Sequence, residues 1–206
     1  MAFLGIRVPE SSGRLLNQID VPGEKESISE YHVTMLYFEE NWPLKEVSKT
    51  LEATFEELKE EKPFLIKINK VGCFPVSGDD PYPIIARVES DKLHKLNDKL
   101  KKKFDKSDID YSKKFKDYKP HITLAYSKEK VEEFNIETVE FEVTSLVLWC
   151  GDYGGNRLFV EFLLKGPQKE KEASFILQKS DFFCKVAQNQ PQEHFTATYE
   201  RRKITR

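Results

Sequence analysis

Apolar positions along the chain recur in two rhythms, every second residue or every third and fourth, and each rhythm predicts its own element. Ala2 to Val8 alternates and stops at Pro9, which reads as a strand. Pro9 to Glu30, rich in Ser, Gly and Glu, has turn residues but no period and reads as a long loop. Tyr31 to Phe38 (YHVTMLYF) is short, β-branched and aromatic, so a strand is predicted. Leu44, Val47, Leu51, Phe55 and Leu58 then fall at helical spacing, with Pro43 near the first turn, and predict a helix over about 43–61.

The same grammar then repeats. Phe64 to Val71 and Pro83 to Val88 read as strands separated by a turn at Gly78-Asp79-Asp80-Pro81. Leu93, Leu96, Leu100 and Phe104 mark a second helix, with Ser90 or Asp91 placed to cap it. His121 to Tyr126 (HITLAY) is a strand introduced by Pro120. Glu140 to Cys150 and Arg157 to Leu164 read as two long β segments joined through the Gly-rich turn Gly151 to Gly155, a hairpin. Gly166 to Lys171 reads as a linker, which divides the chain into a domain over 1–165 and a linker with C-terminal appendage over 166–206. That appendage carries Phe175-Ile176-Leu177 and Phe182-Phe183 but is too small to bury its own core, so it must dock, self-associate or stay mobile.

Composition narrows the function classes. The 206 residues hold 33 Lys+Arg against 35 Asp+Glu, a net charge of -2, which removes binding to long nucleic acid by a basic surface. Hydrophobic residues at 39% with mean hydropathy -0.58 describe a packed core under a solvated surface, and exclude collagen-like, mucin-like and wholly disordered chains. No apolar run reaches the roughly 18 residues that would span a bilayer, so no membrane partner is expected. The opening MAFLGIRVPE lacks the basic region of a signal peptide, which predicts a cytoplasmic protein. Cys73, Cys150 and Cys184 form no CxxC pair and read as reduced thiols.

Two of the four histidines sit in one repeated pattern, His32-Val33-Thr34-Met35 and His121-Ile122-Thr123-Leu124, each on a predicted strand. Residues two apart on a strand share a face, so each tetrad offers an imidazole beside a hydroxyl while its apolar residues enter the core. Two such strands facing one cleft would hold two proton-transfer groups and two donors for phosphate oxygens, with no metal and no cofactor required. Neither tetrad has a second histidine nearby, and no HExxH or Cys/His cluster occurs, so zinc is not expected.

Paired His-apolar-Thr-apolar tetrads at this separation, with Pro120 before the second, resemble the 2H phosphoesterase superfamily, which includes the 2'-5' RNA ligase-like and cyclic phosphodiesterase proteins. The resemblance covers roughly residues 1–165. It implies an α+β, bilobal fold of two antiparallel sheets related by pseudo-twofold symmetry and flanked by helices, with one tetrad on a central strand of each lobe. It further implies metal-independent cleavage of 2',3'-cyclic phosphates, 2'-5' linkages or related phosphodiesters in a nucleotide or short oligonucleotide. His32 and His121 would be the acid and base, and Thr34 and Thr123 would hold the phosphate. Many ligase-like members carry an arginine shortly after the second tetrad; this chain has Tyr126 and then Lys128. The tetrads are also similar to phage-encoded members, one branch of which destroys cyclic oligonucleotide second messengers of bacterial anti-phage defence. That is an alternative substrate class, in which the compartment would be the host's cytoplasm.

Other residues qualify the picture. His194-Phe195-Thr196-Ala197 also spells the pattern, but no predicted helix completes a lobe around it, so it reads as an edge strand or loop. His94, among lysines, reads as a surface residue. Residues 92–119 hold eleven lysines against five aspartates and run into the second tetrad. Most such runs are a solvated helix face, although Lys113, Lys114, Lys116 and Lys119 are placed to attract a polyanion. Tyr118 and Trp149 are candidate stacking partners for a base, with core packing the commoner role for a residue such as Trp149; Tyr126 could stack on a base or bind phosphate through its hydroxyl, and Lys116 and Lys119 are candidate phosphate ligands. A binding module without turnover, and an assembly protein acting through its appendage, are the rival classes.

Overall fold

The computed structural model describes residues 2–38, 44–114, 117–153 and 156–165. Lys116, Pro43, Gly154, Gly155, Cys184, His194 and the whole of 166–206 lie outside the described residues. Elements in chain order are β1 (Phe3–Arg7), α1 (Glu10–Asn17), β2 (Glu24–Lys25), a 3-10 turn (Ile28–Glu30), β3 (His32–Tyr37), α2 (Leu44–Leu58) and β4 (Phe64–Cys73). There follow β5 (Tyr82–Glu89), α3 (Asp91–Lys106), β6 (His121–Ser127), β7 (Phe134–Val143), β8 (Ser145–Tyr153) and β9 (Asn156–Leu163).

The strands build two antiparallel sheets, one of four strands in the order β3-β1-β8-β9 and one of five in the order β2-β6-β5-β4-β7. With three helices among the described residues this is the expected α+β arrangement. Alternation decides which face each sheet buries: Leu4 and Ile6 of β1, Ile84, Ala86 and Val88 of β5, and Ile66 and Ile68 of β4 all lie in one continuous core. The helical stripe Leu93, Leu96, Leu100 and Phe104 enters the same core, and the Ser90 hydroxyl caps α3 by accepting from the Leu93 N–H at 3.3 Å. The Phe104 ring lies 6.0 Å from that of Phe38, just beyond the end of β3. Among the described residues, no helix is long and apolar enough to cross a membrane.

Three sequence expectations are corrected. Pro9 to Glu30 is not a loop throughout, since it holds α1, β2 and the 3-10 turn. Gly13 and its serine neighbours look like turn chemistry, yet they are helical, and position 13 is a glycine because any Cβ there would lie 2.7 Å from Ile28 Cγ2. Glu140 to Cys150 is not one strand but parts of two, β7 in the five-stranded sheet and β8 in the four-stranded one. Its buried positions change at the break, from the alternating Val139, Phe141 and Val143 to Leu146, Leu148 and Cys150 with Val147 buried as well. Finally, the strand carrying the first tetrad is not central: β3 is the outer strand of its sheet, and β6 has only the two-residue β2 beyond it.

One buried charge ties a loop to α3. Glu61, whose side chain is 8% exposed, takes hydrogen bonds from Lys92 and from Lys99, the latter at 2.7 Å. Burial alone would raise its pKa, but the two ammonium groups outweigh burial and hold the carboxyl below its ordinary value of 4.5. A carboxylate with a depressed folded-state pKa contributes stability that is full above the ordinary value and is lost as pH falls through the folded one. Both lysines are substantially exposed, which brings the contribution below that of a fully buried pair, to about 1–2 kcal/mol. Glu61→Gln is therefore expected to cost about that much in urea unfolding at pH 7 and to lose less stability than wild type between pH 5 and pH 3.

Candidate active site

Strands β3 and β6 lie alongside each other where the two sheets meet. Each begins with its histidine, and in each the residues two apart share a face: His32 and Thr34 are half-buried beside buried Val33, and His121 and Thr123 are half-buried beside buried Ile122. The pairing with the next strand then slips by one residue in both places. β1 pairs Gly5 with Thr34 and Leu4 with Leu36, leaving Met35 as the extra residue, and β5 pairs Ile85 with Thr123 and Ile84 with Ala125, leaving Leu124. Each bulge reverses the alternation, so Met35 with Leu36, and Leu124 with Ala125, are buried, and Tyr37 and Tyr126 come round to the face of the histidines. The extra carbonyls are satisfied from outside these ladders, Met35 O by Asn97 Nδ2 of α3 at 2.7 Å and Leu124 O by the Glu26 N–H at 2.8 Å.

The histidines are held alike. His32 Nδ1 lies 2.6 Å from Glu30 O, and His121 Nδ1 lies 2.7 Å from Lys119 O. A carbonyl only accepts, so both Nδ1 atoms carry the proton and each neutral ring keeps Nε2 as a free base. Each ring also rests against an aromatic, His32 on Phe3 at 4.6 Å and His121 edge-to-face with Phe74 at 4.7 Å. Burial lowers the pKa of His121, and the nearby charges of His32 and Arg87 push it the same way against the opposing Lys119 hydrogen bond. His121 thus feels the charge of His32.

Tyr37 went unremarked in the sequence, although HVTMLY and HITLAY are the same six-residue pattern. The Thr34 hydroxyl faces the Tyr37 hydroxyl at 3.4 Å. Burial raises the pKa of Tyr126, and the charges of Glu26 and Tyr37 add to that. Tyr126 is 44% exposed. Trp149 on β8 stacks on Phe3 at 4.4 Å and lies 5.9 Å from the His32 ring, which extends an aromatic surface away from that histidine. Tyr118, by contrast, is not brought to this surface. It is packed against the core with its hydroxyl 3.0 Å from Met35 Sδ and its ring 5.4 Å from exposed His94, and burial raises its pKa strongly. Lys119 contributes its carbonyl to His121 and leaves an exposed side chain. Lys113 is paired with Asp105 at 3.3 Å. Cys73 donates to Val131 O, and burial pushes the Cys150 thiol up to about 12. Among the described residues no three metal-ligating side chains converge.

The family model of the 2'-5' RNA ligase superfamily matches residues 29–154, more than half of the chain and including both tetrads. The chain belongs to the 2'-5' RNA ligase superfamily. Solved structures share its fold. TT0787 of Thermus thermophilus superposes with a TM-score of 0.66 at 22% identity, over 82% of this chain and 100% of that one. A crystal structure titled phosphoesterase gives 0.61 at 16% identity, over 80% and 98%. Escherichia coli LigT in complex with 3'-AMP gives 0.60 at 14% identity, over 80% and 97%. LigT has also been crystallised with ATP and with NADP+. No curated protein matches this sequence.

In this member of the superfamily, the position of Tyr37 depends on the Met35 bulge and so on Asn97. Leaving the buried Met35 carbonyl without its donor costs about 1–3 kcal/mol, the range expected for Asn97→Ala in urea unfolding. A change of under about 0.3 kcal/mol would show that the bulge stands without the clamp.

Proposed function

We propose that the cleft between β3 and β6 cleaves phosphodiester bonds of nucleotides or short oligonucleotides without a metal, using His32 and His121 as acid and base. The observation that carries this reading is the matched pair of imidazoles, each with Nδ1 tied to a carbonyl two residues back and Nε2 left free. Binding alone calls for no such pair of proton-transfer groups, which weighs against a module that only holds its ligand.

His121, whose affinity for a proton is lowered, is suited to be the base. In hydrolysis of a cyclic phosphate, His121 Nε2 takes a proton from water as its oxygen bonds to phosphorus. The P–O bond to the ribose then breaks as His32, which enters the step protonated on both ring nitrogens, delivers its Nε2 proton to the leaving oxygen. Thr34 and Thr123 donate to the non-bridging oxygens, on which negative charge grows in the transition state. The hydroxyls of Tyr37 and Tyr126 border the same face; Tyr126 and then Lys128 follow the second tetrad, shortly after which many ligase-like members carry an arginine. Trp149 and Phe3 offer a surface for the base, and the exposed Lys119 side chain, two residues before His121, would attract the phosphate.

The test is product analysis in EDTA on a panel of a 2',3'-cyclic nucleotide, a 2'-5' oligoadenylate, linear RNA and cyclic di- and trinucleotides. Turnover of any one supports the reading. Preference for a cyclic oligonucleotide would favour second-messenger destruction over RNA-end processing, and capture of a ligand without product would contradict catalysis. His32→Ala and His121→Ala are each expected to lower turnover at least about 100-fold, and Thr34→Ala and Thr123→Ala about 100-fold or somewhat less because water can substitute. The pH profile of kcat/KM should be bell-shaped. Its acid limb, which reports protonation of His121, should fall below the ordinary imidazole value of 6.5.

A further inference from the structure

The two histidines each face an arginine. In the β1–β3 ladder Arg7 is directly opposite His32, and in the β5–β6 ladder Arg87 is directly opposite His121. Directly opposite residues share a face of the sheet, so each arginine lies one strand, about 5 Å, outside its histidine, and the contact between β3 and β6 brings the two pairs together.

The two arginines are not in the same state. Arg87 is bound to Glu133, which Lys70 also approaches at 3.4 Å, so its charge is already answered. Arg7 is exposed and has no carboxylate partner among the described residues. Its guanidinium lies 4.9 Å from the Phe159 ring centroid and 6.0 Å from that of Trp149, which braces it at the far end of the aromatic surface that starts beside His32. A planar cation held on ring faces, with its N–H donors uncommitted, suits a phosphate group.

Resting on the proposed function, we infer that Arg7 forms a second phosphate subsite and that the substrate carries a phosphate beyond the one being cleaved. The scissile phosphate sits between the histidines, its nucleoside lies along Phe3 and Trp149, and the next phosphate reaches Arg7. The substrate class is thereby an oligonucleotide or a terminally phosphorylated nucleotide, and a nucleoside with one phosphate fills only part of the site.

Calorimetric binding tests this without requiring turnover. Adenosine 3',5'-bisphosphate and adenosine 3'-monophosphate are titrated into wild type, Arg7→Ala, Arg7→Lys and, as a surface control on α3, Lys95→Ala. The wild type is expected to bind the bisphosphate about tenfold more tightly than the monophosphate, as one charge-assisted contact provides. Arg7→Ala should lose that preference while keeping its affinity for the monophosphate, Arg7→Lys should keep part of it, and Lys95→Ala should keep all of it. Equal binding of the two ligands by wild type, or an undiminished preference in Arg7→Ala, would overturn the subsite and leave the two-histidine reading standing. Failure of wild type to bind either ligand would overturn both.

Discussion

A strand shows its side chains to its two faces in turn, and the cleft asks β3 and β6 to break that rule once each. His, Thr and Tyr at the first, third and sixth positions of HVTMLY and HITLAY must all face outward, while the three apolar residues enter the core. Strict alternation would send Tyr37 and Tyr126 inward. One extra residue in each strand, Met35 and Leu124, resolves the conflict, at the cost of a carbonyl without a partner in the ladder. Much of the surrounding architecture meets that cost. On the outer side of β3, α3 supplies Asn97 and Ser112 N–H bonds Tyr37 O, while on the outer side of β6 the segment of β2 supplies Glu26 N–H. The same partners cover what would otherwise be two open sheet edges.

The repeated tetrads, the strands that carry them and the two amphipathic helices were legible because each rests on a local period that burial then reinforces. The features that escaped are those fixed by pairing at long range. The six-residue repeat was visible in the sequence, but a period of two assigns Tyr37 to the core, and only its register against β1 shows the bulge. The placement of β3 at a sheet edge follows from strand order, which no local pattern records. The break at Thr144 left a trace, the change in the buried positions between Val143 and Leu146, which a long β-rich run conceals. Helix α1 was hidden because Ser11, Ser12 and Gly13 have the composition of a turn, whereas Gly13 answers to the closeness of Ile28. Tyr118 looked available by position, yet its hydroxyl meets Met35.

What the two halves share and what they do not divide the site into two tasks. The histidine, threonine and tyrosine of each strand, the bulge behind them and the arginine opposite the histidine recur on both sides, a symmetry that the proposed attack and departure at one phosphate would use. The flanks differ. Phe3 pairs with Tyr37 where Pro83 pairs with Tyr126, and Arg7 is braced on rings where Arg87 is held by Glu133. In the proposed function the shared part would serve the chemistry at phosphorus, and the unequal flanks would set which way round a substrate lies.

The coupling of the two imidazoles is open to direct observation by following the ring resonances of His32 and His121 through a pH titration, in wild type and in His32→Gln. The expected result is a proton on Nδ1 of both neutral rings, a titration of His121 below the ordinary 6.5, and a rise in that value when His32 is replaced. A His121 that titrates at the ordinary value and takes no notice of His32 would mean that the two rings do not share a site, and the acid–base pair would be contradicted.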